Sequence, residues 1–233
     1  MGVNYGNVEK LVIPEGEVVR ITSGETVLWQ KQKIPQLYQE VEYISAAQDQ
    51  AAYIDLGITY NQGCTIEIEI LYTTAADCFG VFQTDGKRAR TSFGADTIVW
   101  NVGYSADHSV FLNLPALTAG ESYVIKCIAA NNGVRFENIT TGDIQFSTPS
   151  ADIVQYTCTK NMYLFGWNYK DAPRTIGTRT VKSFRYWDKD DNLLRDMVPC
   201  YRRSDNVIGM FDLVSQTFFT NAGTGVFTVG EDV

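Results

Sequence analysis

A chain of 233 residues with 45% hydrophobic and 20% charged side chains has ordinary globular composition and enough length for a sizeable core. Its formal net charge of -8 argues against a general nucleic-acid binder, which needs clustered Lys and Arg; Arg88, Arg90, Arg202 and Arg203 are only local basic spots. No stretch approaches the roughly 20 apolar residues that span a bilayer, and residues 1–9 are too polar for a signal peptide, so synthesis and folding in a cytoplasm are expected.

Residues 1–33 read as a first unit. Three β-prone runs, 10–13 (KLVI), 18–21 (VVRI) and 26–29 (TVLW), are punctuated by Pro14-Glu15-Gly16-Glu17 and Ser23-Gly24-Glu25, the pattern of a small meander. Three strands this short are marginal alone. Their apolar positions, Leu11, Ile13, Val19, Ile21, Leu28 and Trp29, are therefore expected to anchor the unit on the main domain, a neighbouring subunit or a partner protein. Residues 30–35 (QKQKIP) read as a linker, and residues 34–233 as a second domain.

From Tyr38 onward the chain is β-patterned. In residues 65–70 (TIEIEI) isoleucines alternate with polar residues, so one strand face is buried and the other wet, as in an antiparallel sheet with one solvated side. Further strands are expected at 52–56, 78–83, 90–93, 97–102, 110–114, 122–129, 133–137, 162–167 and 180–187. Turn signals separate them at Asp85-Gly86, Asn131-Asn132-Gly133, Thr141-Gly142-Asp143 and 188–192. The closing stretch, 195–229, alternates short apolar runs with the turn clusters Ser204-Asp205-Asn206, Ser215-Gln216 and 221–225. No segment holds a helical period over 11 residues. The expectation is an all-β, two-sheet antiparallel sandwich.

Two regions carry a family resemblance. Residues 38–44 (YQEVEYI) with 52–57 (AYIDLG) form one motif; 195–203 (RDMVPCYRR), 208–212 (IGMFD) and 219–225 (FTNAGTG) form the other, with 164–166 (LFG) and 183–186 (SFRY) between them. These motifs resemble those of laminin-G-like, concanavalin A-type jelly-roll domains in tail and other structural proteins of phages and prophages. The resemblance implies two antiparallel sheets in jelly-roll topology. Under it, Pro199-Cys200, Asp212 and Asn221-Ala222-Gly223 are expected as strand ends, turns and core plugs rather than a site. The N-terminal unit is similar to short leader modules on small phage structural proteins. Such folds host lectins, enzymes and spacers alike, so function has to be argued from side chains.

Catalytic patterns are poor. His108 is the only histidine, and its neighbours Asp107 and Ser109 cannot form a relay with it, because adjacent strand residues point to opposite faces. Glu67 and Glu69 share a face, as a glycosidase pair would, but the flanking isoleucines explain them equally as a wet sheet face. Residues 188–192 (DKDDN) look oxygen-rich, yet Leu193 and Pro199 stand where an EF-hand needs Gly and Glu. No metal site is assigned, and calcium is the one cofactor kept in view. Five cysteines (Cys64, Cys78, Cys127, Cys158, Cys200) without a CxxC spacing are expected as buried free thiols.

Aromatic residues next to loops are the best ligand candidates, because apolar sugar faces stack on rings. Trp100 with Tyr104, and Trp167-Asn168-Tyr169 leading into a loop that ends at Asp171-Ala172-Pro173-Arg174, are expected to contact carbohydrate. A core position competes for Trp167 and Trp187. The resulting expectation is a non-enzymatic virion protein, made in a bacterial host and docked on other virion proteins. It would be a homo-oligomer touching host-surface glycans, with no nucleic-acid partner and no membrane insertion. A stand-alone carbohydrate-binding module and a glycoside hydrolase are the rivals.

Overall fold

The structure, a computed structural model, describes residues 20–23, 26–30, 34–48, 51–105, 109–130, 133–147 and 156–233. The chain divides into two compact units, Met1–Pro35 and Gln36–Val233. In the first, β1 (Arg20–Ser23) pairs antiparallel with β2 (Thr26–Gln30), with Ile21 opposite Trp29. Leu11, Ile13 and Val19, named as anchors, lie outside the described residues, as do the side chains of Ile21, Leu28 and Trp29.

The regular elements of the second unit are all strands. In chain order these are β3 (Tyr38–Glu40), β4 (Ile44–Ala46), β5 (Ile54–Asn61), β6 (Thr65–Leu71), β7 (Ala76–Phe82), β8 (Arg88–Phe93), β9 (Thr97–Gly103) and β10 (Ser109–Pro115). Then come β11 (Ser122–Ala130), β12 (Gly133–Asn138), β13 (Asp143–Ser147), β14 (Thr157–Leu164), β15 (Trp167–Tyr169) and β16 (Ala172–Arg174). The last five are β17 (Arg179–Trp187), β18 (Leu193–Arg202), β19 (Ile208–Asp212), β20 (Thr217–Thr220) and β21 (Phe227–Val229). One sheet runs β10-β9-β8-β7-β14-β5. The other runs β13-β12-β11-β6-β17-β18-β19-β20, with β4 beside β17, β21 beside β4, and β3 beside β18.

Alternation builds the interior. On β6, Ile66, Ile68 and Ile70 are buried while Thr65, Glu67 and Glu69 are half-exposed; β11 repeats this with Tyr123, Ile125, Cys127 and Ala129 inward. Phe79 of β7 meets Phe184 of β17 edge to face at 6.0 Å, and Trp100 of β9 meets Phe136 of β12 at 6.1 Å. Those rings interlock the inner faces of the two sheets, each burial contributing about 1.5–3 kcal/mol. The expected two-sheet antiparallel sandwich is the architecture found.

β7 departs from alternation, because six of its seven residues are buried. Its inner face meets the opposite sheet. Along its edge, past the short pairing with β14, β15 continues the sheet in plane, running parallel to β7 with Asn168 opposite Val81 and Tyr169 opposite Phe82. The β15–β16 hairpin thus widens the smaller sheet beside β7, and it positions the site.

All five cysteines are buried and free. Burial pushes the thiols of Cys64, Cys158 and Cys200 up to about 12, so at neutral pH they are protonated and pack as small apolar groups.

Candidate functional site

The sequence pattern predicts a single strand over 162–167. Instead the chain breaks after Leu164: Phe165 and Gly166 take φ of 66° and 152°, and the Gly166 N–H donates to Cys78 O at 2.9 Å. A Cβ on Gly166 would stand 2.6 Å from Arg174 O, so a side chain cannot fit there. β15 then leaves in a new direction and returns as β16 through Lys170 and Asp171, both at positive φ (53° and 70°), as a two-residue primed turn requires.

Asn168 holds this hairpin. Its Nδ2 donates to Asn161 O at 3.0 Å, and its Oδ1 accepts the Asp171 N–H at 3.1 Å. Lys160 pairs with Asp171 at 2.8 Å. Two non-glycine residues in the left-handed region cost about 1–2 kcal/mol each. Replacing the tip with Asn-Gly (Lys170→Asn, Asp171→Gly) is therefore expected to stabilise the chain by about 1 kcal/mol, raising the melting temperature by roughly 2–4 °C in a thermal scan.

Trp167 is buried but lies outside the hydrophobic core cluster. The guanidinium carbon of Arg90 is 4.0 Å from its ring centroid, and that of Arg174 is 4.7 Å away. Tyr169 stands edge-on to Trp167 at 6.5 Å and tilts on Phe82 at 5.3 Å; both Tyr169 and Phe82 are half-exposed. Arg88 lies 5.1 Å over Phe82, and Lys170 Nζ is 5.2 Å from the Tyr169 ring. The result is an aromatic surface rimmed by cations.

Asp77 sits beneath it. Ser92 Oγ donates to its Oδ1 at 2.9 Å, and Arg174 Nε lies 3.3 Å from Oδ2 without hydrogen-bond geometry. Burial raises the Asp77 carboxyl above its ordinary value, outweighing the lowering by Ser92 and Arg174. The folded chain thus holds this proton more tightly than the unfolded one. Stability from this group falls as pH rises from the ordinary carboxylate value through the raised one. Asp77→Asn is expected to flatten that part of the stability-versus-pH curve, which urea unfolding at a series of pH values measures.

Of the predicted contact residues, the structure unites Trp167, Asn168 and Tyr169 and sets the others apart. Trp100 is corrected: it has no exposed surface and packs on Phe136 on the inner face of β9, so it offers no ring to a ligand. Tyr104 is half-buried against the core. Trp167 and Asn168 are also buried and act as supports rather than contacts, one under two guanidinium groups and one inside the hairpin. Tyr169 keeps an accessible face. Trp187 is half-buried beneath Lys126, whose Nζ is 5.9 Å from its ring, rather than in the core. Sequence reasoning missed Phe82, Lys170 and Arg174 as site residues and treated Arg90 as an isolated basic spot. The Arg88-Ala89-Arg90 spacing, which puts two guanidinium groups on one strand face, was the available signal.

The remaining candidates are engaged elsewhere. Glu137, Lys126, Glu67, Arg185 and Asp196 stand opposite one another across β12, β11, β6, β17 and β18, alternating in sign. Arg185 reaches Glu67 at 3.1 Å and Asp196 at 2.9 Å, and Glu69 faces Lys182 at 3.6 Å. Such a ladder supports a solvated sheet face. Asp188 accepts the N–H groups of Asp190 and Asn192, each at 2.9 Å, and the Asn192 amide holds its carboxyl below the usual value. With Asn61, Gln62, Lys189 and Leu194 it borders an open cleft of about 530 Å³. Among the described residues no group of three His, Cys, Asp or Glu side chains is placed to hold a metal ion. His108 lies outside the described residues.

No protein-family model matches this chain, and no curated protein matches it. Solved structures do. A Bacteroides ovatus protein to which carbohydrate binding has been assigned superposes with a TM-score of 0.52 at 10% identity, over 83% of this chain and 62% of that one. Mouse laminin alpha1 domains LG4-5 give 0.44 at 8% identity over 75% and 48%, and the enzymatically active domain of bacteriophage CBA120 tailspike protein 2 gives 0.45 at 13% over 72% and 30%. The chain therefore spans between about a third and three fifths of these three chains. At such identities the likeness speaks for fold alone, a two-sheet antiparallel jelly-roll β-sandwich.

Proposed function

We propose that this chain is a non-enzymatic structural protein of a bacteriophage particle, displaying a jelly-roll domain that contacts host-surface glycans. The observation that carries the glycan reading is the half-exposed Tyr169–Phe82 pair at the β15–β16 hairpin, with Lys170 and Arg174 at its rim. Rings stack on apolar sugar faces, and adjacent cations take the polar substituents. The carbohydrate binding assigned to the Bacteroides ovatus protein of the same fold is in keeping with it. The virion reading is supported by the likeness of the opening and closing motifs to those of phage structural proteins. The N-terminal unit then docks on other virion proteins, and the symmetry of particle positions makes the chain a homo-oligomer.

Mass spectrometry of purified particles tests the virion assignment: the chain is expected as a constant component through successive purification steps, and its loss at any step would leave a stand-alone carbohydrate-binding module. The absence of chemistry is tested separately. Glu67→Gln is expected to cost about 0.5–1 kcal/mol through the weakened charge ladder and to leave sugar release from polysaccharides at background. Release by the unaltered chain that stops on this substitution would make it a glycoside hydrolase.

A further inference from the structure

We infer that the surface formed by Arg90, Lys170 and Arg174 around Trp167 and Tyr169 takes the anionic group of an acidic glycan, a uronic-acid carboxylate. This names the ligand class of the glycan surface and rests on that reading. The chain as a whole is acidic, at -8, so a local excess of cations is against its average. At the hairpin, Arg88, Arg90, Lys170 and Arg174 gather around three aromatic rings. Among the described residues, the carboxylates beside Arg90, Lys170 and Arg174 are Asp77, which pairs with Arg174 and attracts Arg90, and Asp171, which is taken by Lys160.

Arg90 is the telling residue. It is half-buried, its Nε has no hydrogen-bond partner, and among the described residues it makes no ion pair. A partly desolvated cation whose Nε has no acceptor is costly, and Asp77 is the carboxylate that offsets part of its charge. The guanidinium carbon lies 4.0 Å from the Trp167 ring centroid, and a planar guanidinium is suited to bind a carboxylate through two parallel hydrogen bonds. Lys170 adds an exposed ammonium at the hairpin tip with no carboxylate partner among the described residues, on a residue whose left-handed backbone a glycine or asparagine would adopt with less strain. Retaining lysine there keeps charge at the expense of stability. A sulfate ester presents the same acceptor geometry as a carboxylate. A nucleic acid is the poorer fit, since a few cations on one hairpin cannot track a phosphate backbone.

The test is equilibrium binding of the full chain to polygalacturonate, to the same polymer as its methyl ester, to dextran sulfate, to neutral dextran and to single-stranded DNA. Polygalacturonate is expected to bind, and the uncharged methyl ester to bind about tenfold more weakly or less. Affinity should fall steeply between about 50 and 200 mM salt. Arg90→Gln and, independently, Lys170→Gln should each weaken it by about tenfold, with Lys170 at an exposed tip guarding against a folding artefact. Stronger binding of dextran sulfate, with the same two losses, would keep the anion site and assign sulfate as the source. The inference is overturned if polygalacturonate does not bind, if the methyl ester binds equally well, or if DNA binds more tightly through the same residues. Neutral glycans that bind through Tyr169 and ignore Arg90→Gln would overturn it while leaving the glycan reading in place.

Discussion

Asp212→Ala is expected to cost about 3–5 kcal/mol, a large share of the stability of an ordinary domain. Asp212 has no exposed surface, yet both carboxylate oxygens are satisfied. Oδ1 accepts the N–H groups of Asp196 at 2.8 Å and Val214 at 3.2 Å; Oδ2 accepts the Ser215 hydroxyl at 2.6 Å and its N–H at 3.3 Å. Arg195 Nη1 lies 3.6 Å away. Removing the carboxylate orphans the Asp196 N–H on β18, unties the β19–β20 turn, and leaves Arg195 without its anion. It also loosens the strand that presents Asp196 to Arg185. Asp212→Asn keeps the shape but loses one acceptor, so an intermediate loss is expected. Urea titration at neutral pH measures both; a cost under about 1 kcal/mol for the alanine variant would contradict the accounting.

Gly223→Ala is expected to be comparably severe, on the order of 3 kcal/mol or more. A Cβ at Gly223 would stand 1.7 Å from Ala51 O and 2.8 Å from Ala51 C, both backbone atoms that cannot step aside. The close approach exists because Asn221 clasps the closing loop to the entry of β5. Its Oδ1 accepts the N–H groups of Tyr53 at 3.1 Å and Gly223 at 2.9 Å, and its Nδ2 donates to Gly225 O at 2.6 Å. The backbone joins in through Ala222 N–H to Tyr53 O and Gly225 N–H to Ala51 O. Asn221→Ala removes three of these bonds without a clash and is expected to cost about 2–3 kcal/mol, less than the glycine change. Reversal of that order in thermal unfolding would show that the side-chain clasp, rather than the backbone packing, limits the loop.

Where a strand had one dry and one wet face, its side chains could be placed from sequence. The isoleucines of β6 point inward and Glu67 and Glu69 join a charge ladder, as their alternation implied. Asp212, Asn221 and Gly223 likewise serve the scaffold, as the closing motif implied. The aromatic residues were harder, because a tryptophan on a strand looks the same whether it faces the opposite sheet or the outer side of its own. Trp100 faces inward; Trp167 faces a guanidinium stack made by β8 and β16, about 77 and 7 residues away along the chain. The reversal at Phe165 and Gly166 was not legible either. One glycine marks it, and its partner Phe165 adopts a conformation its sequence neighbours do not announce. The cationic rim around Tyr169 is thus a product of tertiary packing, invisible to periodicity.

The central claim, that this sandwich binds carbohydrate through the β15–β16 hairpin, is most directly tested by a glycan array probed with the full chain and with Tyr169→Ala. Tyr169 is half-exposed and hydrogen-bonds nothing that holds the hairpin among the described residues, so the variant should fold, which its melting temperature checks. A defined set of glycans is expected to bind the unaltered chain, with signal reduced about tenfold or more by the substitution. An array that stays dark, or one that binds both proteins equally, would contradict it.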